Sequence, residues 1–140
     1  MRRILIALRG PANSGKSTII KKLYNLLPSR YKNNKAEYGI FRVDIRVILT
    51  INNIKIGIES QGDPNSRLTE SLELFAKEKC KVIICATRTR GQTVDAVEKW
   101  ARQYKIISIE QAKSLPSKQK ASNDLMARKL LRAVEEAIRH

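Results

Sequence analysis

The chain has few aromatic residues: one tryptophan, four tyrosines and two phenylalanines among its 140 residues. They do not form a platform interleaved with basic residues, and the sequence has no helix-turn-helix pattern. Because stacking platforms and recognition helices are the usual devices for reading bases, sequence-specific recognition of nucleic acid is not supported.

Long apolar runs and metal-binding cysteine patterns are also missing. No apolar run approaches the ~20 residues that a membrane-spanning helix requires, so a membrane partner is not expected. The apolar stretch that follows the basic start covers only residues 4–8, which predicts a first strand and a cytoplasmic protein rather than a signal peptide. Cys80 and Cys85 lack metal-ligand spacing and are predicted to be reduced packing residues.

Acidic residues are scarce relative to basic ones. The chain has 13 Asp and Glu against 28 Lys and Arg, which gives a formal net charge of +15. Residues 1–46 hold eleven of the basic residues and only two acidic ones. Such a field attracts polyanions, so nucleic acid is a candidate partner. A solvated basic surface without that partner is the alternative, and the sequence favours neither.

Residues 10–17, the glycine loop, indicate a specific chemistry. They match the pattern Gly-x-x-x-x-Gly-Lys-Ser, between an apolar stretch at 4–8 and a helical pattern at 18–27. In such loops the backbone amides face a phosphate, the lysine reaches the outer phosphates and the serine hydroxyl binds Mg²⁺. The predicted cofactors are therefore ATP, or another nucleoside triphosphate, and Mg²⁺. The predicted binding residues in this segment are Gly10, Ala12, Asn13, Ser14, Gly15, Lys16, Ser17 and Thr18.

A β-hairpin follows the first helix. Apolar residues alternate over 45–51 and 54–58, and the pair Asn52-Asn53 between them suits a tight turn. The second strand runs directly into Glu59, and an acid after a buried strand is a common way to place a carboxylate near Mg²⁺. Glu59 is therefore predicted to serve the metal together with Ser17. Asp63 competes for that role, or else caps the next helix.

The glycine loop, the helix, the hairpin and the acid-x-x-Gly element over residues 4–64 together resemble the front half of the small GTPases. At superfamily level the chain resembles the P-loop NTPases. The matching positions are Glu59, where the family has aspartate, and Gly62. The resemblance implies that Glu59 approaches Mg²⁺ through water and that the Gly62 amide senses the γ-phosphate. The guanine-reading element Asn-Lys-x-Asp is absent, which favours ATP or a loose choice of base.

The rest of the sequence alternates between helical and strand patterns. The order β-α-β-β-α-β-α-β-α predicts one three-layer α/β domain over residues 1–140. The resemblance implies the P-loop NTPase fold, with a mostly parallel sheet and one antiparallel hairpin strand at an edge. The segment 28–42 is predicted to be a surface loop. Helices are predicted at 66–79, 92–104 and about 122–139, and strands at 81–86 and 105–109.

The loop at residues 87–93 carries Arg88 and Arg90. Since ligands of open α/β sheets bind beyond the carboxyl ends of the strands, these arginines are predicted to clamp phosphates or to stabilise a phosphoryl-transfer transition state. The alternative is that they only add to the general basic surface.

Three functions remain open. The first is Mg²⁺-dependent binding of a nucleoside triphosphate with hydrolysis of ATP. The second is a small kinase that phosphorylates a nucleotide, a metabolite or a nucleic-acid end, with the acceptor at residues 87–92 or 28–42 and Asp44 as base. The third is a nucleic-acid or partner-binding module that nucleotide switches. The residues predicted to be catalytic are Lys16, Glu59, Arg88 and Arg90.

Overall fold

A computed structural model describes residues 3–32, 36–37, 44–61 and 67–139. The strands in this part of the chain are β1 (Ile4–Arg9), β2 (Ala36–Glu37), β3 (Arg46–Ile51), β4 (Ile54–Glu59), β5 (Val82–Thr87) and β6 (Lys105–Glu110). The helices are α1 (Lys16–Leu26), α2 (Leu68–Lys77), α3 (Gln92–Glu98) and α4 (Gln119–Arg139), with short 3-10 helices at Ser29–Lys32 and Pro116–Lys118.

The strands form one mixed sheet in the order β2-β3-β4-β5-β1-β6. β1 is parallel to both of its neighbours, and β4 is parallel to β5, whereas β3 runs antiparallel to β4. The prediction of a mostly parallel sheet with an antiparallel hairpin is confirmed. Asn52 and Asn53 occupy its turn with φ of 51° and 66°. The short β2 lies in a segment predicted to be a loop, and it forms by pairing with the outer edge of β3.

Helices cover both faces of the sheet, as the predicted three-layer arrangement requires. Along β1, Ile6 and Leu8 belong to the apolar cluster that contains α1 and α4 residues. Leu5 and Ala7 belong to the opposite cluster, with α2 and α3. This alternation is the two-residue period of a strand buried on both sides. Among the described residues, no helix combines the length and the apolar character that crossing a bilayer demands.

The helices differ from their predicted bounds most at α3 and α4. α4 begins at Gln119 rather than Ser122, directly after the 3-10 turn. α3 ends at Glu98, and the residues that follow form turns up to Tyr104. These turns carry Tyr104 into the core, where its hydroxyl donates to the carbonyl oxygen of Cys80 at 2.5 Å.

Both cysteines are free and buried, in agreement with the prediction that they are packing residues. Burial raises the pKa of each thiol to about 12, and the nearby charge of Glu59 adds to this effect at Cys85. Since the thiolate is the reactive form, we expect neither thiol to react with Ellman's reagent at pH 8 in the native protein. The same assay in guanidinium chloride should titrate both thiols, and rapid reaction of the folded chain would contradict this account.

Candidate functional site

The glycine loop lies at the carboxyl ends of the central strands, where close backbone packing selects its glycines. The amide of Gly10 donates to the carbonyl oxygen of Thr87 in β5 at 3.1 Å. A Cβ atom at Gly10 would lie 2.3 Å from the carbonyl oxygen of Gln111, after β6, so a larger residue does not fit there. Gly15 is the residue before α1 and has φ of +90°, a conformation that glycine adopts without strain.

Lys16 lies across the loop that precedes it. Its side chain is nearly buried, and Nζ donates to the carbonyl oxygens of Gly10 at 2.6 Å and Pro11 at 2.8 Å. The ammonium group is thus held at the first residues of the loop. The loop ends at the first turn of α1, whose backbone amides have no helical partner. A helix N-terminus and a fixed cation on one loop favour an anionic ligand.

A carboxylate and two hydroxyl groups meet beside the start of α1. The Ser17 hydroxyl donates to Oδ1 of Asp44 at 2.6 Å, and the Ser60 hydroxyl donates to the same oxygen at 2.7 Å. Ser60 is fixed in turn, because its Oγ accepts from the amide of Ile45 at 2.9 Å. The loop before β3 and the end of β4 therefore deliver Asp44 and Ser60 to the first turn of α1.

These oxygen donors fit Mg²⁺, which prefers hard oxygen ligands and commonly takes one or two carboxylates together with substrate phosphates and water. The described residues contain no group of three or more His, Cys, Asp or Glu side chains suited to holding a metal ion. A Mg²⁺ ion held by Ser17 and Asp44 would therefore draw its other ligands from a phosphate group and from water.

The glycine loop, the Asp44 carboxylate and the start of α4 line one cavity of about 580 Å³, which we call the glycine-loop cavity. This volume lies within the range of small-molecule sites, which span roughly 300–1,000 Å³. Its lining residues are Ala12, Asn13, Ser14, Gly15, Lys16, Ser17, Thr18, Asp44, Ser60, Gln61, Ala86, Arg88, Gln119 and Asn123.

Glu59, predicted to serve the metal, lies elsewhere. It is fully buried and is not among the residues that line the cavity. Its carboxylate accepts two bonds from the Arg67 guanidinium, at 2.7 and 2.9 Å, and one from the Ser71 hydroxyl at 2.6 Å. The Glu59 side chain points away from the glycine loop because side chains alternate between the two faces of a strand. Glu59 shares the face of Gly57, which packs on Phe75 of α2, whereas Ser60 points to the α1 face. The structure thus brings Asp44, not Glu59, to Ser17.

The remaining predicted residues divide between two cavities. Arg88 lines the cavity of the glycine loop, but Arg90 does not. Both line a second cavity of about 580 Å³, which we call the arginine pocket. Gly62, the predicted γ-phosphate sensor, and Asp63 lie outside the described residues. The lining residues of the arginine pocket are Arg9, Pro11, Ala12, Arg88, Thr89 and Arg90.

No protein-family model, curated protein or solved structure matches this chain.

Sequence reasoning missed a set of amide side chains that hold the glycine loop from the α4 side. Gln111 and Gln119 each donate from Nε2 to the carbonyl oxygen of Ser14 at 3.2 Å. Gln119 also donates to Oδ1 of Asn123, one turn further along α4, at 2.7 Å. The position of Gln111 directly after β6 was a usable signal, because the rule that pointed to Arg88 after β5 applies there too.

Proposed function

We propose that the chain binds a nucleoside triphosphate with Mg²⁺ in the glycine-loop cavity and hydrolyses it, with ATP as the substrate. In this proposal it is a P-loop NTPase. The observation that carries it is the Ser17 hydroxyl held 2.6 Å from Asp44, in the same cavity as Lys16 and the loop amides. Residues suited to phosphate and residues suited to Mg²⁺ thus line the same cavity, which is the combination that the loop pattern predicts.

Each lining group then has a role that its position supports. The amides at the start of α1 bind the inner phosphates, and Lys16 binds outer phosphate oxygens. Ser17 and Asp44 orient the metal. Mg²⁺, when it is bound with the nucleotide, neutralises charge that develops on the phosphate oxygens. Arg88, on the β5 side of the cavity, stabilises the terminal phosphate.

Glu59 has a structural role in this proposal. Its carboxylate bonds to Arg67 at the start of α2 and to Ser71 within it, and it accepts from the amide of Gln61 at 3.0 Å. Gln61 lines the glycine-loop cavity, so Glu59 positions one cavity residue without reaching the ligand itself. Transfer of the phosphate to a second substrate is the alternative reaction, and the arginine pocket beside the loop favours it.

The test of the reaction is an incubation with γ-labelled ATP or GTP and Mg²⁺ that follows released phosphate. We expect release from ATP, and we expect Lys16→Ala to abolish it. Lys99→Ala, an identical change at an exposed lysine after α3, is the matched control. Equal release by the wild type and Lys16→Ala would contradict the proposed site.

A nucleic-acid partner, suggested by the net charge of +15, makes a separate prediction. Binding to a labelled single-stranded oligonucleotide, measured by fluorescence anisotropy, should weaken on the order of tenfold or more between about 50 and 200 mM salt, because counterions are released on binding. Detectable binding with no dependence on salt would contradict an electrostatic partner, and absence of binding at low salt would leave the charge as a solvated surface.

A further inference from the structure

The arginine pocket shares a wall with the glycine-loop cavity. Ala12 and Arg88 line both spaces, whereas Arg9, Thr89 and Arg90 line the arginine pocket alone. Two cavities of similar volume thus meet at Ala12 and Arg88.

The terminal phosphate of a nucleotide would face this pocket. This step depends on the proposed function, in which Lys16 binds the outer phosphates. Nζ of Lys16 lies within hydrogen-bond distance of the Gly10 and Pro11 carbonyl oxygens, so the outer phosphates belong at this end of the loop. Pro11 in turn lines the arginine pocket. A ligand in the pocket would therefore lie next to the last phosphate of the nucleotide.

The pocket wall is held in place by side-chain contacts. The Arg9 guanidinium donates from Nε to the carbonyl oxygen of Thr89 at 2.7 Å and also donates to it from Nη2. The amide of Arg88 donates to the Thr93 hydroxyl at 2.8 Å. Arg9 also has an acidic neighbour, because Glu110 lies 3.7 Å from its Nε, and the Glu110 side chain is mostly exposed. Within the part of the chain that the structure describes, three arginines therefore line the pocket and no acidic side chain does.

We propose that the arginine pocket binds the phosphate monoester group of a second ligand beside the terminal phosphate of the nucleotide. A guanidinium group donates two parallel hydrogen bonds to phosphate oxygens. Arg9 ends β1 and Arg90 lies in the loop after β5, so the two side chains can contact different oxygens of one phosphate. The second ligand is thus a phosphorylated compound. Its phosphate can be free, part of a nucleoside monophosphate, or the 5′ end of a nucleic-acid strand.

The test compares ligands with and without that phosphate, by calorimetry on the full chain. The pairs are AMP against adenosine, and a short oligonucleotide with a 5′-phosphate against the same oligonucleotide with a 5′-hydroxyl, while inorganic phosphate is titrated alone. We expect the phosphorylated member of at least one pair, or inorganic phosphate, to bind in a way that Arg90→Gln weakens about tenfold, the loss of one charge-assisted contact. The strongest of the three ligands identifies the source of the phosphate.

Matched variants separate this inference from the proposed function. Arg102→Gln removes the same charge from an exposed residue before β6, at the far end of the strand, and should leave the affinity unchanged. Arg9→Gln is a second variant of the pocket and should weaken binding like Arg90→Gln.

Binding that depends on Arg90 and persists in Lys16→Ala supports the pocket, even if the chain fails to bind ATP. Phosphate binding that Lys16→Ala removes and Arg90→Gln leaves intact places the ligand in the glycine loop and overturns the inference. Equal affinity for the phosphorylated and unphosphorylated members of both pairs, with no binding of inorganic phosphate, also overturns it.

Discussion

Replacing Asp44 with asparagine is expected to weaken nucleotide binding in the presence of Mg²⁺ about 10- to 100-fold, the usual cost of losing a group that orients or holds a metal. The carboxylate of Asp44 accepts from both Ser17 and Ser60, and among the described residues it is the acid that lines the cavity. Asparagine keeps the size and one acceptor oxygen but removes the charge. The measurement is a titration of a non-hydrolysable ATP analogue with and without Mg²⁺.

Asp95→Asn, the same change at an exposed position of α3, is the control and should bind like the wild type. The informative quantity is the ratio of the affinities measured with and without Mg²⁺. Asp44→Asn should lose the gain in affinity that Mg²⁺ provides and retain the weaker binding seen without the metal. If Mg²⁺ raises the nucleotide affinity of Asp44→Asn as much as that of the wild type, Asp44 does not serve the metal.

Replacing Glu59 with alanine is expected to lower the free energy of unfolding by about 3–5 kcal/mol, because removal of one partner strands the other charge of a buried pair. The Glu59 side chain is fully buried, and the Arg67 side chain is only 12% exposed. Alanine would leave the Arg67 guanidinium and the Ser71 hydroxyl without their carboxylate. Urea denaturation of the wild type and the variant measures the difference.

The double variant Glu59→Met/Arg67→Met tests the cause of that loss. It removes both charges and fills similar volume, so it should be clearly more stable than Glu59→Ala. Surface ion pairs contribute below about 1 kcal/mol. If Glu59→Ala lowers the free energy of unfolding by no more than that and also loses the gain in nucleotide affinity from Mg²⁺, Glu59 serves the metal and its structural role is contradicted.

The local parts of the fold were predictable because each has a short-range cause. Alternation over β3 and β4, the turn at Asn52-Asn53 and the apolar run of β5 all gave strands that the structure contains. The passage from the glycine loop into a helix was predictable for the same reason, although α1 begins at Lys16, two residues before the predicted start. What short-range patterns left out was β2, whose two residues form a strand only by pairing with β3.

The structure brings Asp44 rather than Glu59 to Ser17, and the predicted end of β4, one residue too early, explains why this was not foreseen. β4 includes Glu59, so the two-residue period puts Glu59 on the face of Gly57 and puts Ser60 on the face of α1. Asp44 was seen only as a base for a kinase, since nothing local links it to Ser17, 27 residues earlier. The contact of Gln119 with Ser14 spans 105 residues and arises only when α4 packs against α1.

Binding of a non-hydrolysable ATP analogue with Mg²⁺, measured by calorimetry on the wild type, Lys16→Ala and Lys99→Ala, tests the central claim most directly. We predict one site per chain in the wild type and in Lys99→Ala. In Lys16→Ala we predict an affinity about 10- to 100-fold lower, the cost of losing one or two hydrogen bonds from a charged group. Equal affinity in the three proteins, or no binding by the wild type at millimolar analogue, would contradict a nucleotide site at the glycine loop.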